Sequence, residues 1–138
     1  MFLTRIAHNH FWKSQALLIA RLLMGGLFLM AAYMKFTGIQ STAGYITAAG
    51  FPSGVALAVL AAFFELIFGL CLVTGVYFRE AALLLGAYVI FLAFAFHGPS
   101  TWVGSPYGFG FFIDHFTMLA GLLFMAAHGP GETWKWKR

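Results

Sequence analysis

Ionisable side chains are scarce in the long apolar runs of this chain. Those that lie within or beside these runs are Arg21, Lys35, Glu65, Asp114, His115 and His128. Glu65 is the most informative, because it stands near the middle of the apolar run 57–76. A carboxylate at the centre of a bilayer costs about 2.5–3.5 kcal/mol on insertion scales, so it is expected to face protein or water. Such a group can stabilise a bundle, bind a small ligand or pass a proton.

Five of these residues form a candidate ligand-binding pocket between helices: Arg21, Lys35, Glu65, Asp114 and His115. From their depths along the apolar runs we expect Arg21 to reach toward Glu65. We expect Lys35, at the other end of the first run, to reach toward Asp114 or His115. These pairs could simply cancel each other's charge and hold the bundle together, or they could line a functional pocket. No catalytic residue is assigned.

Cysteine and histidine usage predicts no metal site. Cys71 is the single cysteine, so one chain can neither cycle a dithiol nor build a cysteine cluster. His8 and His10 supply only two ligands and are interpreted as a solvated pair at the membrane interface. Nucleic acid is not an expected partner, because the net charge of +4 comes mainly from Lys and Arg at the ends of apolar runs.

The composition indicates an integral membrane protein. Apolar residues make up 62% of the 138 residues and charged residues only 9%, whereas soluble domains carry about 25% charge. Four runs are long enough to cross a bilayer, at about 16–34, 54–76, 81–96 and 110–128. We therefore predict an all-α fold: one domain over residues 1–138, built as a membrane-embedded four-helix bundle with antiparallel up-down topology.

The distribution of Lys and Arg predicts the orientation in the membrane. Six positive residues lie on the side that holds both termini, against Lys35 alone in the opposite loops: Arg5, Lys13, Arg79, Lys135, Lys137 and Arg138. Because positive residues favour the cytoplasmic side, we expect both termini in the cytoplasm. Residues 1–15 and the tail 132–138, both with Trp beside basic residues, are interpreted as interfacial segments.

Small residues share a helix face with the charges. In the first run this face carries Arg21, Gly25, Phe28, Ala32 and Lys35; in the second, Gly54, Ala58, Ala61, Glu65, Gly69 and Leu72; in the fourth, Asp114, Met118, Gly121, Met125 and His128. Small residues allow helices to approach closely, so these faces are expected to point into the bundle. Between the first two runs, residues 35–53 predict a loop with a short helix around Thr42–Ala49.

Several short motifs follow one another along the chain. They are Arg21 early and Lys35 at the end of the first run, Gly50-Phe51-Pro52 before the second, Glu65-x-x-x-Gly69, Gly75-x-x-x-Arg79, and Gly129-Pro130-Gly131 after the fourth. In these features the chain resembles the DoxX family of small four-helix membrane proteins, over about residues 16–131. It departs from the family at Asp114-His115, where relatives often carry a Lys.

The resemblance implies a multi-pass protein of the bacterial inner membrane, in contact with the bilayer. Relatives include the membrane subunit of a thiosulfate:quinone oxidoreductase, which implies a small membrane subunit or scaffold of a redox-associated complex. The alternative is a quinone-linked oxidoreductase component that binds quinone or a small sulfur anion between helices. A small carrier or proton path is a third hypothesis. Whether the chain is an enzyme is left open, as is a homo-oligomer.

These hypotheses predict different interiors. A scaffold predicts a close pair of Arg21 with Glu65 and no roomy cavity. A quinone-binding component predicts a pocket between helices that opens sideways to lipid. A carrier or proton path predicts polar groups in series from the level of Asp114 to that of Arg21.

Overall fold

The computed structural model describes residues 10–134, which form helices and turns without a β-strand in that range. The helices are α1 (His10–Thr37), α2 (Ile39–Ala48), α3 (Gly54–Thr74), α4 (Phe78–His97) and α5 (Gly108–His128), with a 3-10 turn at Pro99–Thr101. Among the described residues, α1, α3, α4 and α5 are long and apolar enough to cross a membrane. Lipid contact along these helices follows from that length and composition.

The four predicted spans are confirmed as helices, with shifted ends. The largest shift is in α1, which begins before residue 16 and continues past Lys35 to Thr37. The short helix predicted around Thr42–Ala49 is confirmed as α2. Alternating helix direction and cytoplasmic termini stay predictions. The predicted pair His8–His10 and the interfacial segments lie wholly or partly outside the described residues.

The helices pack as two close pairs, α1 with α3 and α4 with α5, which contact each other less extensively. The α1–α3 contact depends on glycine: a Cβ on Gly25 would lie 2.6 Å from Val73 Cγ2 and 3.0 Å from the Gly69 carbonyl oxygen. Gly69 in turn faces Leu29, since a Cβ there would lie 3.2 Å from Leu29 Cγ. Glu65, one turn from Gly69, therefore lies level with the Ala32–Lys35 part of α1.

An apolar layer fills the centre of the bundle. Its fully or nearly fully buried members include Phe28, Leu72, Leu85, Val89 and Leu122. Phe28 lies midway between Arg21 and Lys35 on α1, and Leu72 lies two turns beyond Glu65 on α3. The apolar layer therefore separates the Arg21 end of the bundle from the Lys35 end.

The predicted inward faces are largely confirmed. In α1 the residues Arg21, Gly25, Phe28 and Ala32 are buried, and in α3 so are Ala58, Glu65, Gly69 and Leu72. The face predicted for the fourth span is wrong at both ends, because Asp114 and His128 are exposed. Apart from Gly108 at its start, the buried residues of α5 are Leu122, Met125 and Ala126, so burial changes along this helix as well as around it.

We predict that Gly25→Val lowers the free energy of unfolding by about 1–3 kcal/mol, because its side chain would push against the backbone of α3. Gly26→Val is the matched control, since a Cβ on Gly26 has no atom within 4 Å. SDS-induced unfolding of the purified protein in micelles measures both. Equal effects of the two substitutions would contradict the close α1–α3 approach.

Candidate functional site

Three polar side chains from three helices meet inside the bundle, and we call Lys35, Glu65 and Tyr88 the polar cluster. Lys35 Nζ donates to both carboxylate oxygens of Glu65, at 2.9 Å and 2.8 Å. The Tyr88 hydroxyl donates to Glu65 Oε1 at 2.8 Å. Glu65 is only 2% exposed, so its charge is compensated by three hydrogen bonds, two of them from a cation.

The polar cluster keeps hydrogen-bonding capacity for a ligand. An ammonium group has three donors, and Glu65 uses two of those on Lys35. The Tyr88 oxygen can still accept a hydrogen bond after its proton is donated. Both Lys35 and Tyr88 line a large cavity, which presents at this end one free donor and one free acceptor.

This main cavity has a volume of about 840 Å³, within the roughly 300–1,000 Å³ of small-molecule sites. Most of its wall is apolar or aromatic, including Ile46, Phe51, Leu57, Phe64, Phe91 and Leu92. The short helix α2 closes part of it, because α2 packs on the start of α3, where Gly54 lies against the Ala43 carbonyl group. Phe51 packs edge-on against Phe91, with ring centroids 6.0 Å apart.

The main cavity is bordered by apolar side chains on the outer surface of the bundle. Met34, Leu60 and Phe91 line it and are 63%, 65% and 51% exposed. These residues belong to three of the helices long enough to span a membrane. The opening that they border therefore faces the region where acyl chains would lie.

Two histidines lie at another part of the main cavity wall. The rings of His97, at the end of α4, and His115, in α5, have centroids 5.1 Å apart. His115 Nδ1 lies 2.7 Å from the Phe111 carbonyl oxygen, which accepts its N–H and leaves Nε2 as the free nitrogen. His97 also lines a side cavity of about 570 Å³ among the turn residues after α4.

The predicted contacts of Glu65 and Lys35 are wrong in their choice of partner. Glu65 pairs with Lys35 rather than Arg21, and Lys35 therefore does not pair with Asp114 or His115. The prediction ended the first span before Lys35 and placed that residue at the membrane boundary. Because α1 continues to Thr37, Lys35 lies within the helix and its side chain reaches Glu65.

Arg21 lies about 21 Å from Lys35 along α1 and does not line the main cavity. It is 1% exposed, and its guanidinium group donates to the Pro130 carbonyl oxygen at 3.0 Å and to that of Trp134. Ser14 and Thr133 add a hydroxyl contact of 2.6 Å. Arg21 thus holds the segment after α5 against α1.

Two of the five candidate residues, Lys35 and His115, line the main cavity. Glu65 lies directly behind its wall, bonded to Lys35 and Tyr88. Arg21 and Asp114 do not line this cavity. Asp114 is exposed and forms no ion pair with a described residue. The sequence patterns did not single out Tyr88, although its hydroxyl is the one polar side-chain group in the apolar run 81–96. They also did not predict that His97 lies beside His115 at the main cavity. Within residues 10–134 no three His, Cys, Asp or Glu side chains are grouped as metal ligands.

Comparisons with known proteins identify relatives by sequence. The profile of the DoxX family matches residues 16–98. The chain is also 33% identical over 115 residues to the Inner membrane protein YqjF of Escherichia coli K12, an alignment that covers 83% of this chain and 84% of that protein. No solved structure matches the chain.

We predict unequal costs for removing the two partners of the ion pair. Lys35→Met leaves the buried Glu65 carboxylate uncompensated and should lower the free energy of unfolding by about 3–5 kcal/mol. Glu65→Gln should cost less, because Lys35 is 22% exposed at the main cavity. SDS-induced unfolding of both single variants and the double variant gives a double-mutant cycle. Additive losses would show that the pair does not couple α1 to α3.

We predict that Arg21→Met releases the segment after α5. Amides of residues 131–134 should exchange with deuterium at least about tenfold faster, because the two carbonyl groups lose their charged donor. Hydrogen–deuterium exchange with mass spectrometry measures this, with the exposed Lys13→Met on the same helix as control. Unchanged exchange in Arg21→Met would mean that the segment is held by other contacts.

Proposed function

This chain belongs to the DoxX family of membrane proteins, and we propose that it is an inner-membrane subunit of a redox complex that binds a quinone in the main cavity. The location follows that of the E. coli relative and the four membrane-spanning helices. The observation that carries the proposal is an apolar cavity, bordered by lipid-facing residues, that leads to the free hydrogen-bonding groups of Lys35 and Tyr88.

A quinone fits the main cavity in both shape and polarity. One carbonyl oxygen would accept the third N–H of Lys35, and the ring would lie among aromatic walls that include Phe64 and Phe91. The isoprenoid tail would leave past Leu60 toward lipid. When bound, the quinone would supply two-electron redox chemistry, and the chain would orient its head group and exclude bulk water.

The charge balance favours a quinone over a small sulfur anion. Lys35 is the one cation lining the cavity apart from any charge on the histidines, and its charge is compensated by Glu65 at 2.8 Å. A small anion would lose its hydration among apolar walls and gain little attraction from a neutral ion pair. A neutral head group with carbonyl oxygens loses much less hydration on entry.

The two other hypotheses fit the interior less well. A pure scaffold was expected to pair Arg21 with Glu65 and to lack a cavity. In the described residues Glu65 pairs with Lys35 instead, and a large cavity is present. A carrier or proton path through the whole membrane needs polar groups in series. Phe28, Leu72 and Leu122 interrupt such a series between the polar cluster and Arg21.

A redox partner is part of the proposal, because the chain has one cysteine and the described residues hold no cluster of metal ligands. That partner would exchange electrons with the bound quinone. With both termini in the cytoplasm, as the Lys and Arg distribution predicts, the main cavity lies in the half of the membrane away from the cytoplasm.

We predict that the protein in lipid nanodiscs binds a short-chain ubiquinol under anaerobic conditions and that Tyr88→Phe weakens this binding about three- to tenfold. The substitution leaves the Lys35–Glu65 pair intact and removes the oxygen that accepts a hydrogen bond from the quinol hydroxyl group, a loss that corresponds to about 0.5–1.5 kcal/mol. Isothermal titration calorimetry measures the affinity. Tyr33→Phe is the matched control, since Tyr33 is 68% exposed on α1 and does not line the cavity.

A second variant tests whether the quinone enters through the lipid-facing opening of the main cavity. Leu60→Trp should narrow the opening that Leu60 borders and slow the entry of the quinone, with little effect on a head-group analogue that has no tail. Absence of quinol binding by the unmodified protein, or equal quinol affinity in the Tyr88→Phe and unmodified proteins, would overturn the proposed site.

A further inference from the structure

His97 occupies a position that the proposed quinone site does not explain. It lines the main cavity and also the side cavity among the turn residues after α4. The side cavity has a more polar wall, which includes Ser100, Thr101 and Ser105. His97 therefore lies on the boundary between an apolar ligand cavity and a hydroxyl-lined space at the end of the bundle.

His115 faces His97 across the helix pair α4–α5, with ring centroids 5.1 Å apart and planes inclined by 40°. The hydrogen bond from His115 Nδ1 to the Phe111 carbonyl oxygen fixes the orientation of this ring, so Nε2 is the nitrogen available to a neighbour or a ligand. Two imidazoles alone do not make a metal site, and no third metal-ligating side chain joins them within residues 10–134.

The other titratable groups around the main cavity are less suited to exchanging protons near neutral pH. Lys35 and Tyr88 both donate to Glu65, and Tyr45, from α2, lines both cavities with a phenol side chain. Asp114, next to His115 in the chain, is exposed. Imidazole is the side chain whose ordinary pKa, about 6.5, lets it gain and lose a proton in this range.

We infer that His97, together with His115, exchanges protons between the side cavity and a ligand bound in the main cavity. The inference rests on the proposed quinone site. In one direction, His97 gives a proton to a ligand oxygen and takes one from solvent at the side cavity; the reverse transfers release it. No electron moves in these transfers, so the redox partner supplies electrons separately and the histidines supply the protons that a reduced quinone needs.

The distance between Tyr88 and His97 along α4 means that the ligand itself must connect the polar cluster to the histidines. Tyr88 and His97 are about 13 Å apart along the helix axis, too far for a direct proton transfer. A head group with oxygens on opposite sides of its ring can meet the polar cluster with one oxygen and turn the other toward the histidines. The two polar parts of the main cavity wall then serve two different oxygens of one ligand.

The test uses an alkyl-substituted 2-hydroxy-1,4-naphthoquinone, whose visible absorbance changes when its hydroxyl group ionises. The full-length protein in nanodiscs, in excess over the probe, is mixed with buffer in a stopped-flow instrument to give a pH jump across the probe's pKa. We expect His97→Ala to slow the absorbance change of the bound probe at least tenfold, and His115→Ala to slow it less. Added imidazole should restore the rate in His97→Ala.

The control is His128→Ala, because His128 is exposed and lies outside both cavities. Its rate should equal that of the unmodified protein, and equilibrium binding of the probe should be similar in all variants. No binding of the probe by the unmodified protein overturns the quinone site and this inference together. Normal binding with an unchanged rate in His97→Ala overturns the proton route alone, as does a slowed rate that imidazole does not restore.

Discussion

The hydrogen-bonded ion pair between Lys35 and Glu65 is the interaction on which the rest of this structure depends. A carboxylate near the middle of a bilayer is stable only when a partner compensates its charge, and here the compensation comes from α1 and α4 together. Because each member of the polar cluster belongs to a different helix, making all three contacts fixes the register of those helices. Glycine at positions 25 and 69 lets α1 and α3 come close enough for the pair to form.

The main cavity follows from the same arrangement. The two close helix pairs, α1–α3 and α4–α5, meet at Tyr88 and Glu65 but pack less extensively with each other elsewhere. Side chains such as Phe64 and Phe91 line the gap without filling it, and α2 with Phe51 covers one end. The polar cluster thus joins the two pairs and also forms the polar end of the space left between them.

Sequence patterns predicted the helices and the inward faces of α1 and α3, including the inward direction of Glu65, because apolar length and small-residue spacing are local properties. They did not predict which cation meets Glu65, since that depends on helix register and on where α1 ends. A difference of three residues at the end of α1 moves Lys35 from the membrane boundary to within reach of Glu65. The sequence patterns also did not single out Tyr88, because a hydroxyl group on a large aromatic ring barely changes the mean hydropathy of the apolar run that contains it.

Arg21 and Lys35 lie on one face of the same helix, yet their charges are accommodated in different ways. Lys35 is neutralised by a carboxylate. Within residues 10–134, Arg21 instead donates to carbonyl oxygens of the segment after α5, near the negative end of the α5 dipole. Phe28 and its apolar neighbours separate the two. In the proposed quinone site, a ligand that enters beside Leu60 would meet the polar cluster and then this hydrocarbon layer. The described interior would therefore suit binding from one side of the membrane rather than passage across it.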